Sequence, residues 1–232
     1  MITEVSVRPA LSVTRAPRHT LQDHVFRQLC ELILNGEIAP GQLITIQTLA
    51  DAFGVSAMPV REALQRLTAA RVLTVISGRS IGIPPLVRGR LLDLRRVRLE
   101  LESLAATWAT PNITDVQIDR LRECIQNMKE AARSGDRKQY LRLNRTFHFA
   151  IYGAAGSDAL FAIIENLWLQ ISPYFHLLHA SGNYFEANEQ HELMLDAIRA
   201  RNDAALSLGV RNDIDAACQV LVSLLDADGS AP

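Results

Sequence analysis

The sequence lacks any long apolar run, and this absence argues against export and membrane insertion. No segment approaches the roughly eighteen apolar residues that a membrane-spanning helix needs, and the N-terminus has no apolar core of signal-peptide length. Cysteine is also scarce: Cys30, Cys124 and Cys218 are the three in 232 residues, and their spacing shows no pairing. We therefore expect a cytoplasmic protein without a membrane partner, whose thiols are reduced and packed between helices.

Lysine is absent from residues 1–86, where all eight positive charges are arginines. Six acidic residues leave that part with a net charge of +2, whereas residues 87–232 hold sixteen basic and nineteen acidic residues, a net charge of −3. A basic N-terminal part favours a nucleic-acid partner there, although an excess this small also fits ordinary surface variation. The hydrophobic content of 48% is enough for a core in each part.

The segment FGVSAMPVREALQRL, residues 53–67, predicts a tight turn followed by an amphipathic helix. Gly54 gives the turn its backbone freedom, and the Ser56 hydroxyl can cap the helix. Apolar side chains recur at helical spacing from Val60 to Leu67 and predict one buried face. The outer face is left with donors for phosphates and base edges, and its residues are Ser56, Arg61, Gln65 and Arg66.

The flanking segments complete a recognisable unit. An amphipathic helix is predicted before Asn35-Gly36, and a short second helix follows the capping residue Thr45. Two β-rich runs, residues 72–76 and 81–84, surround a turn that contains Gly78 and Arg79, which predicts a hairpin. Three helices and a hairpin make a winged helix-turn-helix, in which the second helix of the turn enters the major groove.

Three blocks occur in order along this unit: Gly36-x-Ile38-x-Pro40-Gly41, Leu49-Ala50-x-x-Phe53-Gly54-Val55-Ser56 and Pro59-Val60-Arg61-Glu62-Ala63-Leu64. With these blocks, residues 19–86 resemble the DNA-binding domain of the GntR family of bacterial transcription regulators. Residues 87–232 resemble the all-helical, FCD-type effector domain of the FadR-like subgroup. The resemblance implies a homodimeric regulator that is not an enzyme, most often a repressor, bound to a palindromic operator in double-stranded DNA.

Residues 1–18 precede both parts and show no periodicity. With three arginines, they are expected to form a flexible arm that either touches DNA phosphates or has no function.

Two positions depart from the pattern of similar proteins. Ala57 stands where an arginine is common, and Gln47 stands where the second helix often carries a basic residue. Loss of an arginine that pairs with guanine removes about 1–3 kcal/mol of discrimination at that base pair. We therefore expect an operator unlike the subgroup's common one, with Gln47 reading adenine. The arginines that remain for phosphate or base contact are Arg61, Arg66 and Arg79.

The C-terminal part predicts helices almost throughout. Thr114-Asp115-Val116-Gln117 is a capping box, and Pro173 predicts a kink or break in the helix that Ser157 starts. The expected fold class is mainly α, with the winged helix-turn-helix followed by an antiparallel bundle of six or seven helices. The predicted buried stripe of the first bundle helix is Leu91, Leu94, Val97, Leu101 and Leu104-Ala105.

Asn144 and His148 are four residues apart, so an amide oxygen and an imidazole nitrogen share one helix face and can meet a single ion. The resemblance implies a metal site made of an Asp or Asn, a His four residues later, and one His from each of the last two helices. These positions fall on Asn144, His148, His191 and Asp213. Because Asp213 replaces the usual His, the site either persists for zinc, nickel or manganese with altered selectivity, or has been lost.

Arg98 lies in an R-x-x-L-E segment that resembles a cavity-facing position of the family. A guanidinium can clamp a carboxylate by a planar two-point contact, so the resemblance implies a small carboxylate effector bound by Arg98. The alternative is a plain surface pair between Arg98 and Glu102, one helical turn later.

Two other function classes remain open from the sequence. A metal-dependent enzyme acting on a small carboxylate would use Asn144, His148 and His191, but no partnered general base or nucleophile motif accompanies them. A DNA-packaging protein would bind duplex DNA without sequence preference and would need no effector site.

Overall fold

The computed structural model describes residues 21–77, 80–179 and 183–227. The predicted arm, residues 1–18, lies outside the described residues. The fold is mainly α, as predicted, with a winged helix-turn-helix followed by a helical bundle. Within the described ranges, no helix combines the length and the apolar character that crossing a membrane requires.

The N-terminal unit, which we call the head, contains three helices and an antiparallel hairpin. Its wing is tied to the segment before the second helix by a bridge between Ile44 and Ile81, with N–H···O distances of 2.8 and 3.0 Å. The elements are α1 (Leu21–Leu34), α2 (Ile46–Phe53), α3 (Ala57–Ala69), β1 (Thr74–Ser77) and β2 (Ser80–Gly82).

Local chemistry explains the sharp turns of the head. Gly54 ends α2 with a φ of 64°, in the left-handed region that glycine adopts without steric cost. The Thr45 side chain accepts a hydrogen bond from the Thr48 N–H and so caps α2, as predicted. At Gly82 a Cβ atom would lie 2.6 Å from the backbone oxygen of Gln42, so only glycine lets the wing approach this closely.

The predicted buried face of α3 is confirmed, because Val60, Ala63, Leu64 and Leu67 are all buried. The predicted cap is wrong, since the Ser56 side chain makes no capping hydrogen bond. Pro59 is the third residue of the helix and has no N–H to offer to the hydroxyl. The Ser56 side chain is consequently exposed beside the helix N-terminus.

The C-terminal unit, which we call the body, is the predicted antiparallel bundle. Ion pairs Arg88–Asp226 and Arg95–Asp215, both 2.7 Å, show that its first and last helices run in opposite directions. Its helices are α4 (Arg88–Ala109), α5 (Asp115–Ser134), α6 (Arg137–Gly153), α7 (Asp158–Ile171), α8 (Asn183–Arg199) and α9 (Asp203–Ala227).

The helix boundaries predicted for the body are confirmed. Thr114 and Gln117 form the capping box of α5, and the Ser157 side chain caps α7. The break expected at Pro173 is present, because α7 ends at Ile171 and the chain continues as a 3₁₀ segment, Ser172–His179.

The predicted stripe on α4 is partly wrong. Val97 and Leu104 were expected inside, yet they are 39% and 38% exposed. The inward positions are taken by Arg98 and Glu102, which are 5% and 0% exposed. Apolar periodicity in the sequence could not identify the buried face of α4, because the centre of that face is the charged pair Arg98 and Glu102. These two side chains hydrogen-bond to each other.

The head and the body are joined by polar contacts. Arg145, on α6, pairs with Glu31, on α1, at 2.7 Å, and its side chain is only 16% exposed. Arg90 of α4 donates to the backbone oxygen of Arg71 at 2.7 Å. Tyr174 also donates to the backbone oxygen of Pro84. These contacts place α6 and the 3₁₀ segment directly against the head.

Candidate functional site

Three of the four predicted metal ligands converge inside the body. The Nε2 atoms of His148 and His191 lie 3.2 Å apart. Asp213 Oδ2 lies 3.4 Å from His148 Nε2, and Asp213 Oδ1 lies 3.8 Å from His191 Nε2. The residues come from α6, α8 and α9, so three helices must pack correctly before the cluster exists.

The spacing of these donors fits a metal ion. Bonds of about 2.1 Å to a tetrahedral ion place neighbouring ligand atoms about 3.4 Å apart, which lies within the separations found here. His148 and His191 are 1% and 0% exposed, so their imidazoles are shielded from bulk solvent. Asn144 is half-buried one turn before His148 and lines the adjacent cavity with Asp213. A cluster of two imidazoles, a carboxylate and a nearby amide can hold a divalent cation.

Burial sets the protonation of the cluster. It lowers the pKa of His148 well below the usual value, an effect to which His191 and Arg98 add. Burial lowers the pKa of His191 to about 3. It also raises the pKa of Asp213 to about 7, although Arg98 acts in the opposite direction. Both imidazoles are therefore neutral at neutral pH, the form in which histidine binds metals.

A close approach between two helices brings the cluster together. At Gly209, on α9, a Cβ atom would lie 2.6 Å from Met194 Cγ on α8. His191 precedes Met194 by three residues, and Asp213 follows Gly209 by four, so each pair shares one helix face. The absence of a side chain at Gly209 thus lets His191 and Asp213 meet.

Replacement of Gly209 by valine is expected to destabilise the protein by about 1–3 kcal/mol, because the fully buried Met194 side chain would have to shift within a packed core. The measurement is the urea midpoint of unfolding followed by circular dichroism. Gly89→Val is the control, since a Cβ atom at Gly89 meets nothing within 4 Å. Equal midpoints for the two variants would show that the α8–α9 approach is not tight.

Arg98 is buried beside the cluster, as the resemblance implied, and it also pairs with Glu102. Its Nε donates to Glu102 Oε1 at 2.6 Å, so the pair with Glu102, which the alternative placed at the surface, forms inside the body. The guanidinium carbon lies 5.5 Å from the Trp168 ring centre and 5.9 Å from that of Phe175. Aromatic faces therefore hold the cation in place.

A small cavity links Arg98 to the cluster. Its volume is about 30 Å³, room for about two water molecules. Both polar and apolar side chains line it, so the space suits a small ligand that has a polar group and an apolar part. The lining includes Arg98, Asn144, Asp213, Tyr140, Trp168 and Phe175.

The predicted DNA-reading face is exposed on α3. Arg61, Gln65 and Ser56 all have exposed side chains. Arg66 is exposed too, but its guanidinium carbon lies 3.6 Å from the Phe26 ring centre and its Nη1 lies 3.2 Å from Asp23 Oδ1. Both partners belong to α1, so Arg66 turns towards its own domain.

Two further predicted DNA contacts have different outcomes. Gln47 is exposed, and its amide nitrogen donates to Asp51 Oδ1 at 2.7 Å, which orients the amide along α2. Arg79, predicted at the tip of the wing, lies outside the described residues.

The sequence reading missed the residues that support the cluster. Glu102 accepts hydrogen bonds from Tyr152 at 2.7 Å and from Trp168 at 3.1 Å, while Tyr152 lies 3.1 Å from His148 Nδ1. A signal was present, because Tyr152 follows His148 by four residues and Glu102 follows Arg98 by four. What the sequence lacked was the contact between α4, α6 and α7.

Comparison with known proteins agrees with this architecture. Residues 21–83 match the family described as bacterial regulatory proteins, gntR family, and residues 93–216 match the FCD domain. The chain is 33% identical, over 170 residues, to the HTH-type transcriptional regulator McbR of Escherichia coli (strain K12), covering 72% of this chain and 77% of that protein. It is 25% identical to the probable D-xylose utilization operon transcriptional repressor of Paenarthrobacter nicotinovorans, covering 80% and 82%.

The solved structure described as E. coli McbR/YncC superposes with a TM-score of 0.78 at 29% identity, covering 91% of this chain and all of that one. Head and body are thus both matched, in the same order. This chain belongs to the GntR family of bacterial transcription regulators, with a DNA-binding winged helix-turn-helix followed by an FCD domain.

Proposed function

We propose that this regulator is a homodimeric repressor that binds a palindromic operator and changes its DNA affinity when a small carboxylate enters the body. The observation that carries the proposal is the pairing of an exposed polar face on α3 with a buried polar cluster and cavity in the body. A dimer follows because one winged domain makes too few base contacts for genomic specificity, whereas two half-sites multiply them.

On the DNA side, Arg61, Gln65 and Ser56 are the proposed contacts of α3. Gln47 of α2 and Arg79, which the sequence assigns to the wing, are proposed as further contacts. Arg66 is assigned to a phosphate at most, since Phe26 and Asp23 hold its guanidinium. Phosphate contacts fix the position of the helix, and base contacts carry the sequence preference.

On the effector side, His148, His191 and Asp213, with Asn144 as the fourth ligand, are proposed to hold zinc, nickel or manganese. When bound, the ion would supply a positive centre, and an ion that takes more than four ligands would keep an open position for a carboxylate oxygen. Arg98 donates hydrogen bonds from Nε and Nη2 to Glu102, so the remaining nitrogen, Nη1, is the one proposed to meet the ligand. The small cavity limits the effector to a few heavy atoms unless neighbouring side chains move.

The same helix connects effector and DNA reader. Asn144 and His148 lie on the cavity side of α6, while Arg145 pairs with Glu31 of α1. A shift of α6 that follows ligand binding would therefore be felt by the head through this ion pair. Effector binding changes DNA affinity only if the ligand prefers one placement of the head over the other.

Elemental analysis of the purified protein, followed by thermal unfolding with a panel of small carboxylates, tests the effector site. We expect about one divalent ion per chain and a higher unfolding temperature with one acid of the panel. If the protein contains no metal and no acid stabilises it, while operator binding is intact, the proposed effector site is refuted. The DNA-binding assignment would still stand.

Metal affinity is expected to depend on pH through Asp213. Because burial raises the pKa of this carboxyl to about 7, a proton must leave when metal binds, and affinity falls as pH falls through that value. Between about pH 6 and about pH 7 the apparent dissociation constant should change up to about tenfold. Titration with a metal-sensitive dye measures it. Asp213→Asn should flatten the slope, and a wild-type slope near zero would contradict this role.

A further inference from the structure

We infer that Glu102 and Tyr152 are positioning residues that fix which nitrogen of His148 carries the proton. The inference deepens the proposed metal site and rests on it for its affinity readout. It also makes a claim about the metal-free protein that can be tested separately.

Glu102 is the start of the chain of hydrogen bonds. Its carboxylate is 0% exposed and lies against Arg98 Nε, Trp168 Nε1 and the Tyr152 hydroxyl, at 2.6, 3.1 and 2.7 Å. Arginine and the tryptophan indole are donors only, so the carboxylate oxygens act as acceptors. The Tyr152 hydroxyl must therefore give its single hydrogen to Glu102 Oε2.

The hydrogen bond from Tyr152 to Glu102 determines the direction of the hydrogen bond between Tyr152 and His148. Tyr152 has no second hydrogen, so its oxygen can only accept from His148 Nδ1, which lies 3.1 Å away. His148 is consequently protonated on Nδ1. Its Nε2 keeps a lone pair, directed at the point where His191 Nε2 and Asp213 Oδ2 lie 3.2 and 3.4 Å away.

Glu102 thus serves two parts of the site at once. It holds Arg98 at the cavity wall and, through Tyr152, holds His148 in the metal-binding tautomer. Outer hydrogen bonds of this kind orient the ring of a ligating histidine, and their loss typically weakens metal binding by about 10–100-fold.

The test uses the full chain with ¹⁵N-labelled histidine. Long-range ¹H–¹⁵N correlation spectra of the metal-free protein are expected to show His148 protonated on Nδ1, with the signal assigned from its loss in His148→Gln. In Tyr152→Phe the Nδ1–H loses its acceptor, so the Nε2–H tautomer should become populated. A His148 signal protonated on Nε2 in the wild-type protein overturns the inference whatever the metal content.

Metal affinity gives the second readout. Tyr152→Phe should bind Zn²⁺ or Ni²⁺ about 10–100-fold more weakly than the wild-type protein. Tyr174→Phe is the matched control, since it removes a buried hydroxyl that donates to the backbone of Pro84, away from the cluster. Affinity of Tyr152→Phe within twofold of the control, at equal helical content, also overturns the inference. A wild-type protein that binds no metal defeats the proposed metal site, while the tautomer spectra still decide the positioning role.

Discussion

Arg61→Ala is expected to remove most of the preference for the operator while leaving the helical fold intact. Arg61 is exposed on α3, and the buried residues around it, Val60 and Leu64, belong to the core of the head. A base contact of arginine is worth about 1–3 kcal/mol per half-site, so a dimer loses about 2–6 kcal/mol, or between about 30-fold and about 10⁴-fold in affinity. Fluorescence anisotropy with a labelled operator duplex measures this loss.

The matched control for this variant is Arg122→Ala. Arg122 lies on α5 of the body and is half-exposed, so the control removes the same charge far from α3. Both variants should retain the wild-type circular dichroism spectrum and unfolding temperature. If Arg61→Ala binds the operator as tightly as Arg122→Ala, the face of α3 assigned here does not read DNA.

The second large effect is expected from the double variant His148→Ala with His191→Ala. Binding free energies of about 10–16 kcal/mol for a four-ligand zinc site correspond to roughly 3 kcal/mol per ligand. Loss of two ligands should therefore weaken metal binding by about 10⁴-fold, and elemental analysis should find the purified variant empty.

Two controls keep that result interpretable. His24→Ala removes an exposed histidine on α1 and should leave the metal content unchanged. His148→Gln keeps a polar side chain of similar size inside the body, which guards against a variant that fails to fold. A double variant that retains its metal at full occupancy would place the ion elsewhere.

The head could be predicted closely because its signals are local. Gly54 marks the turn, Thr45 caps α2, and the apolar spacing from Val60 to Leu67 identifies the buried face of α3; each signal lies in or next to the element that it determines. The wrong prediction in the head, the Ser56 cap, also has a local cause. Pro59 has no N–H that could donate a hydrogen bond to the Ser56 hydroxyl. The direction of Arg66 was not foreseeable, because Phe26 and Asp23 come from another helix.

The side chains of the candidate site could be predicted from the sequence, but the residues that support them could not. A spacing of four gave Asn144 and His148, and the resemblance supplied His191 and Asp213. The approach of His191 to Asp213 depends on the contact between Gly209 and Met194, which no sequence pattern predicts. The buried pair of Arg98 and Glu102 interrupts the apolar spacing of α4. The apolar pattern therefore placed Val97 and Leu104 on the buried face, although both are exposed.

The most direct measurement is the affinity of the wild-type protein for DNA fragments selected from its own genome, against random duplex at one fixed salt concentration. The comparison is made with and without a divalent metal and the stabilising carboxylate. We expect a preference for the selected fragment of at least about 10³-fold, and a shift of at least about fivefold when metal and acid are both present. Equal affinity for selected and random duplexes under every condition would contradict a head that reads sequence under the control of its body.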